Sequence, residues 1–253
     1  MTETASEIYV RTWTVAEPKG AVVITHGVAE HSGRYEHVAR ALNAAGYAVS
    51  AYDHRGHGRS IGFPADMGTD VDQLVGDMVA QCVAAQQLHE KVFLLAHSMG
   101  TIFALPATLE VPSGGLAGLI LSGVALHPGP AVIEAMTSGE GIPAGLISRD
   151  PDVVKAYEDD PLVFTGLPAM LSENAGDAIA RAVDAIGKIT IPVLLLHGAD
   201  DRLTSLEGAN MMHAQLVVTD KTLNVYDGLY HEVLNEPEKD QVIADLVAWL
   251  DAH

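Results

Sequence analysis

The chain has 253 residues, of which 48% are hydrophobic, so it can bury a sizeable core and is too apolar to be disordered. Its 14 Lys and Arg residues against 33 Asp and Glu give a formal net charge of -19, which argues against nucleic-acid binding and tight docking on anionic lipid. The single cysteine, Cys82, excludes an intrachain disulfide and a cysteine zinc cluster. Its place in a helical pattern favours a small core residue over a reactive thiol.

Short apolar runs alternate along the chain with helical patterns. The sequence predicts strands at 8–15, 21–25, 47–52, 91–95, 116–121, 191–196 and 222–226. It predicts helices at 34–45, from a capping box at 69–72 to about 88, at 206–216 and at 239–250. Strands that alternate with helices imply an α/β protein, in which helices cover both faces of a mostly parallel sheet.

Residues 127–188 break this alternation, because they contain six prolines and no clear strand. Apolar residues recur between the prolines, and a structureless insert of this length would be unusual in a compact domain. We therefore expect a single domain with a core of residues 1–126 and 189–253 and an inserted helical cap, or lid, at about 127–188. The alternative is that this stretch only adds helices to the core.

The pentapeptide Ala96-His97-Ser98-Met99-Gly100 lies between a predicted strand and a predicted helix. A serine flanked by small residues at such a turn is typical of a nucleophile elbow, which lifts the hydroxyl above the sheet. The first N–H groups of the helix would lie near Ser98, where an oxyanion would form. A chance turn of small residues around a serine is the alternative.

A serine nucleophile needs a base and an acid that orients the base, and in this type of fold the chain order is serine, acid, histidine. Among the histidines that come late enough, His213 lies inside a helical pattern and His253 is the last residue. His231, in a loop after the final strand, is therefore the predicted base. Asp200 and Asp201 both follow the preceding strand, and spacing alone does not choose between them.

An oxyanion hole needs two backbone N–H donors. One donor should be Met99, the residue after the nucleophile. The other should come from the loop after the second strand, and Val28 is the predicted donor. Gly27 lets this loop turn in closely, and we interpret the neighbouring His26 as structural.

Asp53, His54 and His57 follow the third strand and could suggest a metal site. We favour a structural role for them in shaping a turn beside the active site. The glycines on either side of His57 lack the spacing of a phosphate-binding loop. The sequence thus predicts neither a metal site nor a cofactor.

Five segments, in order along the chain, resemble motifs of the monoacylglycerol lipases. They are THGVAEHSGRY (25–35), DHRGHGRS (53–60), AHSMG (96–100), HGADDRL (197–203) and GLYHE (228–232). The stretch 147–163 also looks like the bacterial members of this family, so the resemblance covers nearly the whole chain.

This resemblance implies an α/β-hydrolase fold with a lid. It also implies a serine carboxylic-ester hydrolase that cleaves monoacylglycerols to glycerol and fatty acid through an acyl-enzyme, with no cofactor and no metal. The Asp-Arg-Leu motif assigns the acid to Asp201 rather than to Asp200. The implied site consists of the nucleophile Ser98, the acid Asp201, the base His231 and the oxyanion donors Val28 and Met99.

Two positions depart from the family pattern. Ala96 replaces the first glycine of the elbow and adds a methyl group at a tight position, so we expect a slightly tighter turn. Thr101 replaces the second glycine of the usual Ser-Met-Gly-Gly sequence, and we expect it to reshape the wall near the acyl group. Neither change removes a catalytic group.

The enzymatic alternatives are a short-chain carboxylesterase and a lysophospholipase on the same fold. A non-catalytic binding protein is disfavoured because all three triad members are present, and a haloalkane dehalogenase would need an aspartate in place of Ser98. The expected partner is a small lipid ester and not a nucleic acid.

The apolar residues of the cap predict transient contact with membranes or micelles, although a cap interior needs the same residues. No run approaches the ~18 apolar residues of a membrane span. The first seven residues lack the pattern of a signal peptide. We therefore expect a cytoplasmic protein, and the sequence predicts no particular oligomeric state.

Overall fold

The computed structural model describes residues 8–68, 70–112, 114–138, 141–166, 168, 171 and 173–253. These residues form a seven-stranded sheet in the order β1-β3-β2-β4-β5-β6-β7. The strands are β1 (Val10–Trp13), β2 (Gly20–Thr25), β3 (Tyr47–Tyr52), β4 (Val92–His97), β5 (Gly118–Ser122), β6 (Val193–Gly198) and β7 (Lys221–Tyr226). β1 pairs with β3 in antiparallel fashion, and all other neighbours are parallel. All seven predicted strands are present, and the predicted mostly parallel sheet is confirmed.

Every residue of β2, β4, β5 and β6 is buried, because helices cover both faces of the sheet. This explains why these strands are continuous apolar runs in the sequence. β1 lies at an edge and alternates between exposed and half-buried residues, as its sequence pattern predicts.

The described residues contain eight α-helices. They are α1 (Glu36–Ala44), α2 (Val71–Gln86), α3 (Met99–Glu110), α4 (Pro130–Ser138), α5 (Pro151–Asp159), α6 (Ala175–Ile186), α7 (Leu206–Gln215) and α8 (Lys239–Ala252). One apolar cluster packs α1 and α8 against one sheet face, with Val22 and Phe93 from the strands. A second cluster packs α2, α3, α6 and α7 against the other face, with Val23 and Leu94. Consecutive strand residues thus belong to opposite clusters, as the strand period of two requires.

Two predicted helices begin differently from expectation. The pattern at 34–45 starts with a 3-10 turn, Ser32–Tyr35, before α1 begins at Glu36. α2 begins at Val71, and its N-cap is Asp70, whose side chain accepts a hydrogen bond from the N–H of Asp72. Thr69, the first residue of the predicted capping box, lies outside the described residues.

The predicted insert, 127–188, contains α4, a 3-10 turn at Ala144–Leu146, α5 and α6. α6 contributes Ala178, Ala182 and Ala185 to the same apolar cluster as α2 and α3, so it packs directly on the core helices. The division into core and cap stays a prediction. None of the helices in the described parts of the chain is both long and apolar enough to cross a membrane.

Candidate active site

Ser98 occupies the sharp turn between β4 and α3. Its backbone lies at φ 50° and ψ -123°, a conformation that is strained for an L-residue and that a nucleophile elbow requires. The Ser98 N–H donates to the carbonyl oxygen of Ser122 at the end of β5, at 2.9 Å. A Cβ at Gly100 would lie 2.8 Å from the carbonyl oxygen of His26, so the close approach of α3 to β2 requires glycine there.

The methyl group of Ala96 fits this turn without breaking the sheet. Ala96 pairs in register with Thr25 of β2 and with Leu121 of β5. Its side chain is buried in the apolar cluster beneath α2 and α3. The position that departs from the family pattern therefore contributes to the core.

His231 and Asp201 meet through a short hydrogen bond. The imidazole Nδ1–H donates to Oδ2 of Asp201 at 2.7 Å. The same carboxylate accepts the N–H of Leu203 at 2.8 Å, the N–H of Thr204 at 3.0 Å and the hydroxyl of Thr204 at 2.8 Å. These bonds fix the carboxylate, and the bond at Nδ1 leaves Nε2 of His231 to exchange a proton with a nucleophile.

The two adjacent acids have different surroundings. Burial favours a raised pKa for Asp201, but the imidazole of His231 and the backbone N–H donors outweigh it and hold the pKa below its usual range. Asp200 is exposed, and its backbone N–H donates to the carbonyl oxygen of Leu229. The structure therefore brings Asp201, and not Asp200, to the histidine.

His231 is itself buried, which lowers its pKa, but the charge and hydrogen bond of Asp201 raise it above the ordinary value of 6.5. Gly123, at φ 58°, lies directly against the ring, because a Cβ there would be 2.8 Å from Cε1 of His231. Ser98 and His231 line the same two cavities. The structure thus brings together the three residues predicted from chain order and resemblance.

The loop after β2 passes directly over the elbow. A Cβ at Gly27 would lie 2.9 Å from Cβ of Ser98, so only glycine allows this approach. Val28 and Met99, the predicted oxyanion donors, line the same cavity as Ser98. They lie on opposite elements, the loop and the first turn of α3, as an oxyanion hole of this type requires.

Buried histidines hold the backbone of this loop. His26 donates from Nδ1 to the carbonyl oxygen of Gly27 at 2.7 Å and accepts the N–H of His54 at 2.9 Å. Nε2 of His57 accepts the N–H of Ala29 at 3.1 Å. Burial lowers the pKa of His54 to about 3 and that of His57 to about 4, so both rings are neutral. The geometry gives these rings a structural use, since backbone groups occupy the ring nitrogens of His26 and His57, and Nε2 of His54 contacts the hydroxyl of Thr25 at 2.7 Å.

Sequence reasoning missed a buried charged network beside the triad. Arg34 donates to Glu30 at 2.9 Å and to both carboxylate oxygens of Glu232 at 2.6 and 2.8 Å. Glu30 also accepts the N–H of Gly27 at 2.6 Å and the hydroxyl of Tyr35 at 2.9 Å. The network therefore joins the oxyanion loop to the residue that follows His231. All of its members lie in two of the segments that resemble the family, which was the available signal.

Acceptor atoms of Glu30, His97 and Glu232 lie within 4.8 Å of one another, a spacing that could suit a metal ion. Arg34 already provides the positive charge between the two carboxylates. Against the effect of burial, it lowers the pKa of Glu232 to about 2. Burial and the nearby His231 lower the pKa of His97 to about 3, so a neutral ring packs against the imidazole of His231, with centroids 4.7 Å apart. The two carboxylates of this set therefore belong to an ion-pair network with Arg34, beside a neutral His97.

Residues 16–238 match the Hydrolase_4 family, described as serine aminopeptidase, S33. The chain is 38% identical to a monoacylglycerol lipase of Mycolicibacterium smegmatis, over 95% of this chain and 91% of that protein. The chain belongs to the Hydrolase_4 family. It is also 33% identical to the monoglyceride lipase of Homo sapiens, over 96% of this chain and 86% of that protein. The monoacylglycerol lipase structure from Paleococcus ferrophilus superposes with a TM-score of 0.85 and 32% identity, covering 98% of this chain and 100% of that chain. The predicted α/β-hydrolase fold and the resemblance are confirmed.

In this Hydrolase_4 protein, two cavities meet at Ser98 and His231. The larger, about 670 Å³ with the solvent at its open side included, is lined mainly by aliphatic side chains from α3, α4, α6 and neighbouring loops, including Val28, Ile102, Val132, Ile142, Leu171 and Ile179. The smaller, about 280 Å³ on the same measure, is bordered by the polar side chains of Glu30, His97, Tyr157 and Glu232 together with apolar ones such as Ile142, Ile147 and Leu203. Ser98 thus lies between an almost wholly apolar cavity and a smaller cavity of mixed polarity.

Proposed function

We propose that this protein is a serine carboxylic-ester hydrolase that cleaves monoacylglycerols to glycerol and a fatty acid. The observation that carries the proposal is the position of Ser98 and His231 between a large apolar cavity and a smaller cavity whose wall includes polar side chains. A monoacylglycerol has the same division, with an alkyl chain on one side of the ester and two hydroxyl groups on the other. The relatives named monoacylglycerol and monoglyceride lipases support this substrate class.

In the proposed mechanism, Ser98 attacks the ester carbonyl while Nε2 of His231 takes its proton. Asp201 orients the imidazole and stabilises its protonated form. The N–H groups of Val28 and Met99 bind the tetrahedral oxyanion, at about 3–4 kcal/mol for each donor. His231 then protonates the departing glycerol, and water releases the fatty acid from Ser98. No step needs a cofactor.

The insert, 127–188, serves in this proposal as the lid over the carboxyl edge of the sheet. α6 is its fixed base, because it packs on α3, whereas α4 carries Ile133 with half of its surface exposed. Transient contact with a membrane or micelle through this apolar surface would deliver the lipid. The cytoplasmic location expected from the sequence stays a prediction.

The carboxylates of Glu30 and Glu232 in the smaller cavity disfavour two other substrate classes. A lysophospholipid would place its phosphate near Glu30 and Glu232, two carboxylates that share one guanidinium. An aminopeptidase would need a free carboxylate to bind the amino group of its substrate. The carboxylates of Glu30 and Glu232 are instead both paired with Arg34. A short-chain carboxylesterase would leave much of the apolar cavity unfilled.

The test is the hydrolysis of a panel of esters by the purified enzyme. The panel contains monoacylglycerols from acetyl to oleoyl, acetate esters of simple alcohols, and lysophosphatidylcholine, with Ser98→Ala as the control. We expect the highest kcat/KM on monoacylglycerols with long or medium chains and no turnover by Ser98→Ala. A preference for acetyl esters with no monoacylglycerol turnover would contradict the proposal.

A further inference from the structure

The hydroxyl of Thr101 joins two parts of the site. It donates to the carbonyl oxygen of Ser98 at 2.6 Å and accepts the backbone N–H of Ala125 at 3.1 Å. Thr101 is completely buried on the first turn of α3. One oxygen atom therefore connects the nucleophile residue to the loop that follows β5.

The loop held by this hydroxyl borders both the base and the larger cavity. Gly123 lies against the imidazole ring of His231, and Ala125 lines the apolar cavity together with Ile102. Thr101 itself is not among the residues that line this cavity. The expectation that Thr101 reshapes the wall near the acyl group stays a prediction, and the hydrogen bond to Ala125 gives it a route.

We propose that Thr101 is a positioning residue that sets the acyl-chain specificity of this enzyme, because its hydroxyl fixes the backbone of Ala125 in the wall of the apolar cavity. The proposal rests on the proposed function, in which this cavity receives the acyl chain. The glycine that the resembling family usually has at this position offers no hydroxyl. In such a chain the N–H of residue 125 must find another partner, and the wall can take another position. A buried N–H that loses its partner makes the present wall position unfavourable.

The test compares three substitutions on the same helix. Thr101→Val removes the hydroxyl and keeps the shape of the side chain, whereas Thr101→Ser keeps the hydroxyl. Thr108→Val is the matched control, because the Thr108 hydroxyl donates to the carbonyl oxygen of Ala104 within α3. If Thr101→Val does not fold, Thr101→Gly, the residue usual in the family, removes the same hydroxyl. Folding is checked by the thermal unfolding midpoint.

The readout is the ratio of kcat/KM for a lauroyl ester to kcat/KM for a butyryl ester of p-nitrophenol. We expect Thr101→Val to lower this ratio by at least about fivefold, the factor that corresponds to one net hydrogen bond. A long chain contacts the displaced wall, and a short chain does so much less. Thr101→Ser and Thr108→Val should change the ratio by less than about twofold, well under the effect of one hydrogen bond.

An unchanged or increased ratio in folded Thr101→Val would overturn the proposal, as would an equal decrease in Thr108→Val or Thr101→Ser. The p-nitrophenyl esters contain no glycerol, so this outcome is separate from the fate of the monoacylglycerol assignment. Failure to hydrolyse monoacylglycerols would refute the proposed substrate and leave the ratio measurable.

Discussion

The two cavities beside Ser98 are built in opposite ways. The larger depends on aliphatic packing, to which α3 contributes Ile102 and α6 contributes Ile179. The smaller is bordered by a network of buried ion pairs, in which Arg34 lies between the carboxylates of Glu30 and Glu232. An aliphatic wall can change volume while the catalytic groups stay in place. A buried ion network loses far more when one charge is removed, because the partner charges remain unpaired.

In the proposed function the two cavities have different tasks. The aliphatic side, which is the wall of the larger cavity, would determine which acyl chain fits. The charged side, which is the network of Arg34, Glu30 and Glu232, would hold in position the loops that carry the chemistry. Glu30 binds the oxyanion loop through Gly27, and Glu232 directly follows His231. Substitutions on the charged side should therefore affect folding and every substrate, whereas those on the aliphatic side should affect substrates selectively.

The largest effect on activity should come from replacing Asp201, the acid of the triad, because every ester substrate depends on it. Asp201→Asn should lower kcat on the order of 10⁴-fold for short and long esters alike, because the imidazole loses its orienting charge. Steady-state kinetics on both ester types measures this. Asp200→Asn is the control and should change kcat by less than about twofold, the range of an exposed residue outside the machinery. The reverse ranking would assign the acid to Asp200.

The charged side is tested by Arg34→Met. This change leaves Glu30 and Glu232 buried without their common partner and should lower the free energy of unfolding by about 3–5 kcal/mol. Denaturant unfolding followed by circular dichroism measures the loss. Arg181→Met, which removes two exposed ion pairs, with Asp72 of α2 and Asp177 of α6, should leave the midpoint nearly unchanged. Equal stability of Arg34→Met and the wild type would show that the charged network is dispensable.

The aliphatic side is tested by Ile179→Ala on α6. This substitution removes three side-chain carbon atoms from the wall of the larger cavity. It should lower kcat/KM for a long-chain ester about tenfold and leave kcat/KM for acetyl esters nearly unaffected. The control is Val183→Ala on the same helix, because Val183 is exposed. An equal decrease in kcat/KM for all esters would mean that the wall of the larger cavity also positions the catalytic groups, which would contradict the different tasks of the two cavities.

The smallest effect is a shift in pH dependence. A general base must be neutral, so kcat/KM rises with pH through the pKa of His231. Because Asp201 raises that pKa, the midpoint of the rise should lie above 6.5 in the wild type. In Asp201→Asn the burial of the ring acts without the carboxylate, so the midpoint should move to lower pH. A pH profile of both proteins checks the direction, and a midpoint that stays in place would contradict the role of Asp201.

Much of the fold follows from the sequence, because each central strand is buried on both faces and is therefore a continuous apolar run. The elbow at Ser98 and the position of His231 follow from local pattern and chain order. Asp201 could not be separated from Asp200 by spacing, since the choice depends on which carboxylate the loop turns toward the imidazole. The resemblance made that choice, and the hydrogen bond at 2.7 Å agrees with it.

The charged network could not be derived from periodicity or spacing. Arg34 and Glu232 are 198 residues apart in the chain and meet only when the loops after β2 and β7 reach the same edge of the sheet. The contact of Thr101 with Ala125 could not be predicted either, because its partner is a backbone N–H whose position depends on how the chain leaves β5. Contacts between separate loops depend on the tertiary fold, so they cannot be predicted from the local pattern of a single sequence.

The central claim is that Ser98 forms the acyl-enzyme. The most direct measurement is mass mapping of the protein after reaction with a fluorophosphonate that carries an alkyl chain, alongside monoacylglycerol hydrolysis. We expect one adduct per chain, located on Ser98, together with full loss of hydrolysis, and neither adduct nor turnover in Ser98→Ala. An adduct on another serine, or turnover retained by Ser98→Ala, would contradict the account.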